Sequence, residues 1–122
     1  MKFSKEEIRL ARALEDHGVF WRPTIGDWYV TRDGFVGLVR GEGEGLDCRA
    51  FTWIPRWRDC RTWLQERGWG YPEVLVDTMG QVTLALRGPD ETELQVTCGS
   101  DLACMMEAIL RVGNGENEEV LS

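Results

Sequence analysis

The side chains with reactive chemistry are few and scattered along this chain. There is one histidine, His17, and four cysteines, Cys48, Cys60, Cys98 and Cys104, at successive separations of 12, 38 and 6. No two cysteines form a C-x-x-C pair, so neither the spacing nor the ligand types suit a zinc site, and the thiols read as reduced cysteines. Nothing matches G-x-S-x-G, H-E-x-x-H or G-x-x-x-x-G-K-[ST]. The glycine-rich GEGEG at 41–45 carries two glutamates that repel phosphate, and it reads as a hairpin loop. Ser4 and Ser100 stand where helices begin, and Ser122 is terminal. Asp27, Asp33, Asp47 and Asp77 fall at the ends of strand-type runs and read as turn residues rather than metal ligands. His17 closes the first helix, where a cation suits the dipole. Cys104 differs from the other cysteines in phase. It lies ~200° from Leu102, beside Glu107 and Arg111, and is expected to be an exposed thiol. The expectation is a protein without catalytic activity, cofactor or metal.

A second kind of chemistry is concentrated in one stretch, TWIPRWRDCRTWLQERGWGYP, from Thr52 to Pro72, with four tryptophans and four arginines. From Arg49 to Trp69 five arginines face only Asp59 and Glu66, a local positive patch in a chain of net charge −7. At ~100° per residue, Leu64, Cys60 and Trp63 fall ~20°, ~60° and ~120° behind Trp57, which makes one apolar arc. Trp57 and Trp63 are therefore expected at the core, each indole with one wet side. The arginines form no stripe. Arg56 and Arg58 fall in the first turn, where positive charge opposes the macrodipole, and the expected N-cap, Ile54, has no capping oxygen. Free N–H groups beside guanidinium groups favour an anion. Either Asp27 or Asp59 supplies it internally, or a partner's carboxylate or a phosphate does. Arg56, Arg58, Arg61 and Trp69 are the candidate contact residues.

The elements that would position these residues follow from caps, turns and periodicity. Ser4-x-x-Glu7 is a capping box, Ile8, Leu10, Ala11 and Leu14 give a helical stripe, and Gly18 stops it. DWYVT, FVGLVR and LDCRAFTW read as three strands, with Asp33-Gly34 as a hairpin turn. A helix over 56–67 follows, closed by Gly68. EVLVDT, QVTLALR and ELQVTC are three more strands, the first two flanking Met79-Gly80. Ser100 caps a last helix that Gly113 should end.

The order is α-βββ-α-βββ-α. The fold class is α+β, with an antiparallel sheet built from two β-meanders and covered by helices. Each hairpin has a turn glycine (Gly34, Gly80) followed by x-Val-x-Leu. A duplicated αβββ unit would give that pattern, and so would any two half-buried hairpins. The 122 residues suit one domain, expected over 1–113, with 114–122 as an acidic flexible tail.

With 43% apolar and 29% charged residues the composition is that of a globular protein. Its acidity opposes non-specific binding to nucleic acid or anionic membrane. No run is apolar enough to span a membrane, and the charged start, Met1 to Glu7, lacks an apolar core, so a cytoplasmic location is expected. On the last helix the apolar arc runs nearly 180°, from Val112 round to Leu110 and Ala103. That is wider than one buried face needs, so a homodimer through helix 102–112 is expected. The function expected is a non-enzymatic interaction protein, binding an unknown protein partner or itself. The alternatives are a nucleic-acid-binding module on the Arg/Trp patch 49–69 and an acidic mimic that binds a nucleic-acid-handling protein.

The pattern GDW…WIPxWRD…WLxxxGW, over about residues 21 to 69, resembles small open reading frames of bacterial genomes and prophages, a group without an assigned activity. The resemblance implies a small cytoplasmic accessory protein of phage origin and carries over no catalytic residue. PTIGDWYVTRDGFVGLV is also similar to the start of small SH3-like barrels, although the second half of the chain is more than such a barrel requires.

Overall fold

The computed structural model describes residues 3–19, 24–40 and 51–121, with side chains described through 113. The element order is the expected α-βββ-α-βββ-α, with two three-stranded antiparallel sheets. The stretch 1–113 holds both sheets, and the chain divides into two compact units, Met1–Arg56 and Trp57–Ser122. Cys48, Asp47, Arg49, Trp21 and the GEGEG segment lie outside the described residues.

In the first unit α1 spans Lys5–Asp16. The capping box is complete: the Glu7 amide donates to Ser4 Oγ at 3.1 Å, and the Ser4 amide donates to Glu7 Oε1 at 2.8 Å. At the other end Gly18 takes φ 80°. The Val19 amide then reaches the Leu14 carbonyl at 3.1 Å, which satisfies a carbonyl the helix leaves over. Leu10, Ala11 and Leu14 are buried, and α1 packs on β3 (Phe51–Ile54). The other strands are β1 (Trp28–Thr31) and β2 (Val36–Leu38).

This sheet is not a meander: its order is β2-β1-β3, with β1 between the other two. Twelve residues separate Leu38 from Phe51, and a connection of that length does not force its strands to be neighbours. Val30 at the middle of β1 is consequently paired on both sides and buried. Tyr29 sits opposite Gly37, and a Cβ at 37 would collide with the tyrosine ring, so glycine is what lets the ring lie across β2.

The second unit contains α2 (Trp57–Glu66), β4 (Glu73–Val76), β5 (Val82–Arg87), β6 (Glu93–Cys98) and α3 (Asp101–Leu121). Here the sheet is a meander, β4-β5-β6. The β5–β6 connection is short, closed by the Gly88 amide on the Thr92 carbonyl at 2.9 Å. One face carries Leu84, Leu86, Val82, Val96 and Cys98, all buried, and α3 packs over β5, β6 and α2. Ser100 Oγ accepts the Ala103 amide at 3.1 Å, the expected cap.

The structure departs from three expectations about α3: its spare apolar face, the exposed Cys104 and the end at Gly113. Leu102 to Met106 and Ala108 to Leu110 are all buried. The wide apolar arc is filled by the sheet and by α2, which leaves no exposed apolar stripe over 102–110 for a second copy. Cys104 is buried for the same reason, with Sγ 3.2 Å from the Val82 carbonyl oxygen. Gly113 does not end the helix, whose backbone continues to Leu121. It avoids the left-handed conformation that a capping glycine adopts.

The two hairpins share one geometry. Thr31 and Phe35 in the first unit, and Asp77 and Gln81 in the second, exchange the same bonds. The first residue's amide donates to the fifth's carbonyl (2.8 and 3.0 Å), and the turn glycine's amide donates to the first residue's carbonyl (3.0 and 3.1 Å). The fifth residue's amide donates to the first's side-chain oxygen (3.0 and 2.9 Å). Gly34 and Gly80 supply the positive φ, 92° and 83°. Strand β1 thus corresponds to β4, and β2 to β5.

Candidate functional site

The arginine and tryptophan positions singled out in the sequence make separate contacts within their own units. Helix α2 begins at Trp57, so Arg56 precedes the helix instead of lying in its first turn, and it belongs to the first unit. Its Nη2 donates to the Gly26 carbonyl. That carbonyl, rather than a carboxylate alone, meets the charge the sequence left unanswered. The neighbouring Asp27 is buried, and its carboxylate accepts from the Thr24 amide at 3.0 Å and the Thr24 hydroxyl at 2.9 Å.

Arg58 is exposed on α2, and its carbonyl accepts the Thr62 hydroxyl at 3.0 Å. Arg61 lies 5.0 Å from the centre of the Tyr71 ring, a cation–π contact. Its Nη1 is buried and has no hydrogen-bond partner among the described residues. Tyr71 also meets Trp57, with ring centres 5.9 Å apart. Trp69 follows the Gly68 cap of α2, its amide on the Leu64 carbonyl at 3.1 Å. Its indole covers Gly88, where a Cβ would come within 2.8 Å of the ring. Arg67 stacks on Trp63 at 3.5 Å and donates to that residue's carbonyl at 3.1 Å. Trp57, Trp63 and Trp69 are half-buried, and each has an intramolecular neighbour over its ring or edge.

Three of the four thiols are withdrawn from solvent. Cys60, Cys98 and Cys104 are buried thiols outside any disulfide. Burial pushes the Cys60 thiol far above its ordinary value of 9.0, and the Asp59 charge pushes it the same way. A thiol held protonated is not a nucleophile at neutral pH. Among the described residues no group of three or more His, Cys, Asp or Glu side chains could hold a metal, and no helix is long and apolar enough to cross a membrane.

The surface the sequence did not announce is β4. Residues 73–76 are all exposed: Val74 by 42%, Leu75 by 67% and Val76 by 65%, with Tyr71 (71%) and Met79 (86%) on either side. Val74 and Val76 stand opposite buried Leu84 and Val82, so their side chains project from the core face of the sheet. They remain open to water because α3 packs over the other two strands. Leu75 lies on the opposite face, beside Thr83 and Thr97, whose hydroxyls are 2.9 Å apart.

Strand β4 is also an edge. The Asp77 amide points to β5, and amide directions alternate along a strand, so the N–H and C=O groups of Val74 and Val76 point away from the sheet. Among the described residues no strand pairs with that side. An apolar, unpaired strand edge supplies backbone donors and acceptors together with hydrophobic area, which is what an extended polypeptide needs to bind. Val-Leu-Val without an interposed polar residue is the one local trace of it in the sequence, and the same run would suit a strand buried on both faces. The chain matches no protein-family model, and no curated protein or solved structure is similar to it.

Proposed function

We propose that this protein is a non-enzymatic binding module for another protein and that its second unit makes the contact through β4. The observation that carries this reading is the open edge at Val74, Leu75 and Val76. Among the described residues, three adjacent apolar side chains lie beside backbone groups that no strand pairs, while Cys60, Cys98 and Cys104 are buried and Trp57, Trp63 and Trp69 have intramolecular neighbours. Charge and proline, which ordinarily protect such an edge, stand only at its ends, at Pro72, Glu73 and Asp77, and leave Val74–Val76 uncovered among the described residues. Buried, unbridged thiols fit a reducing compartment, so we place the protein in the cytoplasm, as an accessory protein of the phage-derived kind its sequence resembles. The nucleic-acid alternative loses its exposed rings, because Arg67 covers Trp63 and Trp69 lies on Gly88.

The test is a photo-crosslinking residue at position 75 compared with one at position 97 in host extract. Recovery of the same protein from position 75, and its loss when Val74 and Val76 are both changed to lysine, supports the reading. Equal recovery from both positions, or recovery unaffected by the lysines, removes it.

A further inference from the structure

Strand β1 shows what fills the edge that β4 leaves open. The two strands correspond through their shared hairpin, with Trp28 matching Val74, Tyr29 matching Leu75 and Val30 matching Val76. The outer side of β1 is occupied by β3, in the register Trp28 with Ile54, Tyr29 with Trp53 and Val30 with Thr52. In sequence the segment around β3 reads RAFTWIPR, a mostly apolar run bounded by Arg49 and Arg56. It runs beside a strand that begins at an acid, Asp27, and Arg56 binds the Gly26 carbonyl at that end. Strand β4 has the same framing: Glu73 occupies the position of Asp27, and Asp77 closes the other end.

Resting on the reading of β4 as the contact surface, we propose that the partner binds there by strand addition. An extended segment of another protein, with a mostly apolar run between flanking lysines or arginines, pairs antiparallel with Glu73–Val76 as β3 pairs with β1. The Val74 and Val76 backbone groups take its hydrogen bonds. Its inward side chains cover Val74 and Val76, an outward one covers Leu75, and its basic ends meet Glu73 and Asp77.

Charge decides against a second copy. The symmetric antiparallel register that pairs all three apolar residues, Val74 with Val76 and Leu75 with itself, sets Glu73 against Asp77. Like charges directly opposite are destabilising. A shift toward Pro72 sets that residue, which has no N–H, against Val76, and a shift the other way sets the Asp77 charge against Leu75. The net charge of −7 adds to the repulsion between copies and favours a basic partner.

The experiment uses the full chain, labelled with nitrogen-15, and the peptide acetyl-RAFTWIPR-amide as the probe. The expected result is saturable binding in which the Val74 and Val76 amides shift and gain exchange protection. The peptide acetyl-EAFTWIPE-amide should bind at least about fivefold more weakly. A peptide N-methylated at the threonine and at the isoleucine, the two residues whose amides face the edge, should not bind.

Equal binding of the N-methylated peptide overturns strand addition while leaving β4 as the contact surface. Equal binding of the acidic peptide overturns the basic-partner assignment. Concentration-dependent protection of Val74 and Val76 without peptide makes the occupant a second copy and overturns the proposal. Shifts confined to residues away from β4, or no binding at millimolar peptide, overturn it as well. Crosslinking from position 75 then shows separately whether β4 is a contact surface at all.

Discussion

Arg56 and Gly26 tie β3 to β1 at one end of the first sheet. They stand two residues beyond the Trp28–Ile54 pair, and the guanidinium donates to the glycine carbonyl across the gap. Gly26 has φ 93°, and a Cβ there would lie 2.8 Å from Arg56 Nη2. The positive φ favours glycine at this position, and a side chain there would also have to displace the end of the Arg56 guanidinium.

From that contact, Gly26→Ala should lower stability by about 1–2 kcal/mol, part of it left-handed backbone strain and part displacement of the guanidinium. Arg56→Ala alone should cost about 1 kcal/mol. The double variant should be more stable than the sum of the two predicts, by about 0.5–1 kcal/mol, because without Arg56 the new methyl displaces nothing. Urea unfolding of the four proteins measures this, and strict additivity would show that the pair is not coupled.

The buried thiol of Cys60 makes stability fall in alkali. Its ionisation in the folded state lies above the 9.0 of an exposed thiol. The folded chain therefore keeps the proton when the unfolded chain has lost it. The contribution is complete below pH 9.0 and is lost as pH rises toward the folded value. The stability difference between the protein and Cys60→Ala should be constant from pH 7 to 8 and then narrow, by at most about 1.4 kcal/mol per pH unit. In native protein iodoacetamide should modify Cys60, Cys98 and Cys104 only slowly, with mass spectrometry locating the adducts before and after urea.

Val74 and Leu84 are directly opposed, yet the first is 42% exposed and the second 0%. Leu84→Ala should cost about 2–5 kcal/mol. Leu75→Lys, one residue along β4 and on the water-facing side, should change stability by no more than about 0.5 kcal/mol. A large loss from Leu75→Lys in thermal or urea unfolding would mean that the residue is covered in the native protein.

Between β5 and β6, Asp90 and Glu91 both have positive φ, 57° and 61°. Aspartate tolerates that region better than glutamate does. Glu91→Gly should therefore raise stability by about 0.5–1 kcal/mol. A loss in the same urea assay would show that the glutamate side chain more than offsets its strain.

Most helix boundaries were legible because their determinants are local, although α3 runs on through Gly113 and α2 starts only after Arg56. Ser4 with Glu7, Gly18, Gly68 and Ser100 act within one turn of the residues they cap, and each stands as expected. The inward phase of Cys60 and Leu64 was legible for the same reason. Cys104 was misplaced because phase identifies the face of a helix but not how many faces are covered. Helix α3 has the sheet on one side and α2 on another. The candidate arginines shared a stretch of sequence, but Arg56 turned back to Gly26 while Arg61 met Tyr71. Sequence proximity carries no information about such partners.

By itself the sequence determined the α+β class, the order of the elements and the two matching hairpins, since caps, turn glycines and periodicity act over a few residues. The tertiary structure alone decided which edge each third strand joins. A twelve-residue connection left β3 able to cross to β1, whereas the short Gly88–Thr92 turn held β6 beside β5. Strand pairing is non-local, and its outcome leaves no strand on the outer side of β4 among the described residues, with Val74, Leu75 and Val76 exposed.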